Sequence, residues 1–128
     1  MKYHTFLPQF HSLIIAGSKV TTIRGSTRVK QGERFALRYW TGKAYRSPMG
    51  FIGTATCEWV QRIQMGRHSI VLRTDTDPPG SCGWDGDLEK IARWDGFPSW
   101  SAMRDHFGRR LPFEGVLIKW RDFKAGAP

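Results

Sequence analysis

The run over residues 49–63 constrains the fold more than any other part of the chain, because it has the make-up of one long β-strand. Phe51, Ala55, Cys57 and Trp59 share a face with Gly53. The small residues around Gly53 mark the place where the strand bends sharply or where another backbone comes close. Further extended segments surround it. Residues 20–24 are rich in β-branched types, which pack well on a pleated sheet. Over residues 34–40, Phe35, Leu37 and Tyr39 alternate with Arg34, Ala36 and Arg38. A shorter strand is predicted at 68–73, and a closing one at 113–123 with Val116, Ile118 and Trp120 on one face. Strand and helix do not alternate regularly, which excludes a doubly wound sheet. Several strands joined by tight turns must hide their edges, and curling into a small barrel does so. The expected class is α+β: a small mixed, mostly antiparallel barrel with two or three peripheral helices.

The helices have readable ends. Pro8 opens a segment with Phe10, Leu13 and Ile14 at helical spacing, and Gly17 closes it, predicting a helix over 8–16. Asp87 is placed to cap a helix over 88–94; Ser99 caps another that runs to Phe107 and stops at Gly108. Residues 74–86 are too rich in Pro, Gly and Asp for a regular element and read as one long loop. Residues 124–128 read as a short flexible tail. With 128 residues and no internal repeat, the chain is expected to form one domain over 1–128.

Charge is unevenly placed. Residues 1–60 hold nine Lys or Arg against two acids, whereas 61–128 hold eleven against nine. The net +9 is therefore concentrated, as +7, in the first half, which favours an anionic partner such as RNA or single-stranded nucleic acid. No apolar run approaches the roughly 18 residues of a membrane span, so no membrane partner is expected. The absence of an export-type leader and the two scattered cysteines point to the cytoplasm. His4, His11, His68 and His106 are isolated, Cys57 and Cys82 form no Cys-x-x-Cys pair, and Asp75-x-Asp77 lacks a calcium-loop register. No metal or cofactor is expected. Phosphate-loop, dinucleotide and Gly-x-Ser-x-Gly patterns are absent too.

Three constellations carry candidate chemistry. Lys19 leads into the strand on which Thr22 and Arg24 share a face, so an ammonium, a hydroxyl and a guanidinium can converge. A buried lysine serves as base or charge stabiliser, a threonine so activated is a nucleophile, and an arginine clamps carboxylate or phosphate. An ordinary sheet residue at Thr22 and a solvated strand entry explain the same pattern. Asp95 lies between Trp94 and Gly96-Phe97, where desolvation would raise its pKa; a plain glycine-terminated helix is the alternative. Third, Arg24, Arg28, Lys30, Arg34, Arg38 and Arg46 are interleaved with Trp40 and Tyr45. Such cations engage phosphates, and exposed rings stack bases. Trp59, Trp100 and Trp120 read as packing residues instead.

These segments resemble the ASCH domain family, a branch of the PUA-like barrel superfamily. The likeness runs through residues 14–24, Gln31-Gly32-Glu33 before a strand, Gly53-Thr54-Ala55, Asp95-Gly96-Phe97 and the closing strand 113–120. It implies a small mixed barrel with a cleft beside its helices, and recognition of RNA or of a modified nucleoside. One branch of that family consists of small bacterial amidohydrolases acting on N4-acetylcytidine, with a Lys and Thr like Lys19 and Thr22, an Arg like Arg24, and a downstream Glu. Asp95 stands at or near that Glu, one methylene shorter. Another branch is associated with ribonuclease activity. The resemblance thus implies a nucleic-acid-binding module with Lys19, Thr22 and Asp95 as catalytic candidates in the alternative of a hydrolase. A regulatory protein whose basic face meets an acidic partner is a third expectation.

Overall fold

The computed structural model describes residues 1–74 and 83–126. Its elements in chain order are β1 (Tyr3–Phe6), a 3-10 turn (Pro8–Phe10) running into α1 (His11–Ile15), β2 (Thr21–Arg24), β3 (Arg34–Trp40), β4 (Met49–Met65), β5 (Ile70–Thr74), β6 (Trp84–Asp85), α2 (Leu88–Trp94), α3 (Trp100–Phe107), a 3-10 turn (Gly108–Arg110) and β7 (Phe113–Ala125). The expected helix over 8–16 is therefore split, with a tight turn at Pro8 ahead of a single α-helical turn and a half. Asp87 and Ser99 cap α2 and α3 as the sequence predicts, their side chains accepting from the backbone N–H of Lys90 and Ala102.

β4 is the spine of a curled sheet. Its first half pairs antiparallel with β3, its second half with β5, and β7 runs along it from Gly53↔Ala125 to Met65↔Phe113. Two register irregularities, at Thr54/Thr56 and Cys57/Trp59, bend the strand. A Cβ at Gly53 would collide with the carbonyl of Lys124, so the small residue permits the close backbone approach expected there. Lys124 and Ala125 belong to this ladder, which corrects the expected tail from 124. β1 adds to β3 in parallel, β2 to β7 in antiparallel, and β6 to β5. The centre of the expected loop, 75–82, lies outside the described residues; Trp84–Asp85 beyond it is a short strand.

The sheet is covered on both faces. Phe35, Leu37, Ile52, Cys57, Ile118 and Trp120 build one core with Phe10 and Ile14, while Ile63, Met65, Ile70 and Leu117 build a second under Ile91, Met103 and Phe107 of the helices. Ile118 and Leu117, adjacent on β7, thus point into different cores, both fully buried. Ala36, expected to face outward with the arginines, is buried for the same reason. The result is a half-barrel. β1 and β2 form its two lips, and between them Arg24 Nη2 donates to Thr5 O at 2.7 Å, a side chain standing where a closed barrel would have a ladder. The candidate site opens beside this seam.

Candidate functional site

Two helix ends deliver the central residues. At the end of α1, Gly17 N–H donates to Ile14 O and Ser18 N–H to Leu13 O; at the end of α2, Gly96 N–H donates to Arg93 O and Phe97 N–H to Ala92 O. Both are Schellman stops, with glycine in the left-handed region at φ 79 and 92. The chain leaving the first stop docks on the second, since Val20 N–H donates to Trp94 O at 2.8 Å. Lys19 and Asp95 are brought side by side in this way. Gly96 has a further function: a Cβ there would lie 3.2 Å from Lys19 Cβ and would crowd the lysine stem.

Lys19 Nζ donates to Asp95 O at 2.7 Å and to Asp95 Oδ1 at 3.1 Å. Thr21 Oγ1 donates to the same Oδ1 at 2.9 Å. Lys19 is 3% exposed and Asp95 4%. Burial drives the pair in opposite senses, holding Lys19 below the ordinary ammonium value and Asp95 above the ordinary carboxylate value, while their mutual attraction opposes both shifts. The lysine is thereby moved toward serving as a base and the aspartate toward serving as an acid. Phe10 lies 4.6 Å from the ammonium and keeps water off it. The hydroxyl on Asp95 is thus Thr21, not Thr22. Strand alternation explains this, since Lys19 and Thr21 fall on one side and Thr22 with Arg24 on the other.

Thr22 and Arg24 line the same cleft from β2. Arg24 Nε donates to Thr22 Oγ1 at 2.9 Å, so that hydroxyl is held by the arginine and not by Lys19. Trp40 and Tyr45 form the outer wall, ring centroids 5.1 Å apart. Tyr45 is 86% exposed and sits at φ 62, a backbone region that costs a non-glycine residue about 1 kcal/mol. The cleft has a volume of about 230 Å³. On its remaining wall are Phe97, from the Asp95-Gly96-Phe97 segment, with His106 and Arg110, which no motif singled out. The ring of His106, a residue exposed overall, stands among Phe10, Phe97 and Phe107 at centroid distances of 6.0, 5.1 and 5.6 Å, and partial burial of the imidazole with Arg110 nearby lowers its pKa. Their signal in the sequence is the four-residue spacing of His106 and Arg110, legible only once the helix is known to face Asp95.

The other basic candidates lie elsewhere. Arg34 donates to Thr54, Thr56 and the carbonyl of Asp122, tying β3 to β4 and β7. Arg38 lies over the Tyr3 ring at 5.0 Å. Arg28 lines a separate hollow with Lys2, His4 and Thr27. Lys30 is exposed beside Glu33, which accepts from its backbone N–H and from the Lys2 ammonium. Arg46 is exposed on the loop after Tyr45. Of the cations expected to bind substrate, the structure brings only Arg24 into the cleft with Lys19, Thr22 and Asp95.

No family model matches the chain, and no curated protein matches it. Among solved structures, a point mutant of the ZmASCH protein from Zymomonas mobilis is similar, at 17% identity and a TM-score of 0.53, over 98% of this chain and 72% of that one. At this identity the likeness shows the fold: an α+β domain of the ASCH type. No helix among the described residues is long and apolar enough to cross a membrane.

Proposed function

We propose that this ASCH-fold domain binds RNA or another single-stranded nucleic acid, taking one unstacked base at the cleft between the Trp40–Tyr45 wall and the Lys19–Asp95 floor. The carrying observation is the meeting, in one small cleft, of the exposed Tyr45 and the half-buried Trp40 with the cations Lys19, Arg24 and Arg110 against the lone carboxylate of Asp95. Aromatic rings take any base on its π-face, and fixed cations hold the backbone. Fluorescence anisotropy of a labelled single-stranded RNA across a salt series tests this. The expected result is log Kd rising linearly with log salt, as counterion release requires. No binding at low salt overturns it.

A second reading rests on the opposed shifts of Lys19 and Asp95. A lysine biased toward its neutral form and an aspartate biased toward its acid form, both lining a cleft with Thr22, make up an acid–base set for hydrolysing an N-acylated base or RNA. Here Lys19 acts as base or charge stabiliser, Asp95 shuttles the proton, Arg24 clamps the substrate, and Thr22 attacks or orients water. Incubation with N4-acetylcytidine, followed by chromatography for cytidine and acetate, separates this hydrolase from a binding module. Turnover lost in Lys19→Ala and Thr22→Ala with the fold intact supports the enzyme, and no turnover in the wild type dismisses that substrate.

A further inference from the structure

The charges lining the cleft do not balance. Lys19, Arg24 and Arg110 contribute three positive charges and Asp95 one negative, leaving a sum of +2. The sum is the same whichever of Lys19 and Asp95 holds their shared proton. Both arginines keep donors in reserve. Arg24 uses Nε on Thr22 and Nη2 on Thr5, and Arg110, among the described residues, uses only Nη2, on the carbonyl of His106 at 3.3 Å. The His106 ring makes no hydrogen bond with the described residues. Arg110 is itself steadied over the Phe107 ring at 4.8 Å.

Shape adds a second constraint. Lys19 and Asp95, almost fully buried, close the floor. The volume of about 230 Å³ falls short of the roughly 300 to 1,000 Å³ of pockets that enclose whole drug-sized ligands. Charge then separates the two parts of a strand that could enter. Each internal phosphodiester brings a single negative charge, whereas a terminal phosphate monoester brings up to two, matching the +2 of the lining.

We propose that the cleft takes the terminal phosphate monoester of a nucleotide, clamped between Arg24 and Arg110 with a hydrogen bond from His106, so that the domain reads a strand end. This rests on the nucleic-acid reading above and narrows its ligand. Guanidinium–phosphate pairs are among the stronger hydrogen bonds available, and two arginines from different elements lining one cleft set the position of the phosphate as well as its charge.

The test compares one short oligoribonucleotide carrying a 5′-phosphate, a 3′-phosphate or hydroxyls at both ends, by anisotropy at fixed salt. One phosphorylated form is expected to bind about tenfold tighter than the hydroxyl-ended form. In Arg110→Gln, checked for folding by circular dichroism, that ratio is expected to fall to near one, whatever the overall loss of affinity. Equal binding of all three forms by the wild type overturns the end-reading proposal and leaves the parent reading standing. No binding of any form overturns both. A ratio that persists in Arg110→Gln overturns the clamp. Inorganic phosphate competing as well as cytidine monophosphate would also overturn it, because the site would then read an anion and not a nucleotide.

Discussion

The ammonium of Lys19 lies 2.7 Å from the backbone oxygen of Asp95, seventy-six residues further along the chain, and donates to its carboxylate as well. Neither group is solvated, so each is the main counter-charge of the other. Removing one partner leaves the second buried and uncompensated, which costs about 3 to 5 kcal/mol. Lys19→Met and Asp95→Asn are each expected to lose stability on that scale in urea unfolding. The pair Lys19→Met with Asp95→Asn is expected to lose less than the sum of the two, because no orphan charge remains.

The two glycines that build the site separate structural from functional cost. Gly17 has open space where a Cβ would go, whereas at Gly96 it would press on Lys19 and Leu13. Gly17→Ala is expected to cost about 1 kcal/mol of stability through its left-handed backbone, with little change in ligand affinity. Gly96→Ala carries the same backbone cost and displaces Lys19 besides. Melting curves beside binding curves for the two variants check this.

Tyr45 is exposed and touches Trp40, so its removal leaves the cores untouched. Tyr45→Ala is expected to leave the melting temperature nearly unchanged and to weaken RNA binding by about 1 to 3 kcal/mol, the scale of one base–ring stack. Arg34→Ala is expected to do the reverse. Its bonds to Thr54, Thr56 and Asp122 brace the sheet, so stability falls by about 2 kcal/mol while binding at the cleft is kept.

His4 supplies an acid-sensitive contribution. Burial, reinforced by Arg24, holds it at about 4 against 6.5 for a free imidazole. Between those values the unfolded chain binds the proton and the native one does not, so stability rises with pH through this window and is lost as pH falls toward 4. The expected amplitude is on the order of 2 to 3 kcal/mol. His4→Asn is expected to flatten the pH dependence of urea midpoints between pH 4 and 6.5; an unchanged slope would assign that dependence to other groups.

Much of this was legible in the residues because local rules and tertiary structure agree. The caps Asp87 and Ser99, the stop at Gly17 and the close approach at Gly53 each follow from one residue's own chemistry. Lys19, Thr22, Arg24 and Asp95 were visible as candidates from their chemistry and from the likeness to a known pattern. The partner on Asp95 was not, since Thr21 and Thr22 are identical neighbours and only the docking of Val20 on Trp94 decides which of them faces the carboxylate. Arg34 looked like an outward cation because alternation specifies a face but not what covers it; β7 curls back to accept its bonds. Arg110 and His106 were hidden for the opposite reason, standing on an ordinary helix end that becomes a cleft wall only when α3 packs beside α2.

The most direct measurement is a photo-crosslinking map. A single-stranded RNA with 5-bromouridine is irradiated with the protein, and the adducted residues are read by peptide mass spectrometry. The expected adducts fall on Trp40 and Tyr45, with loss of crosslinking in Arg24→Ala at matched protein folding. Adducts confined to Trp59, Trp84 or Trp94, which line a separate hollow with Lys90, would contradict the assignment of the cleft as the nucleic-acid site.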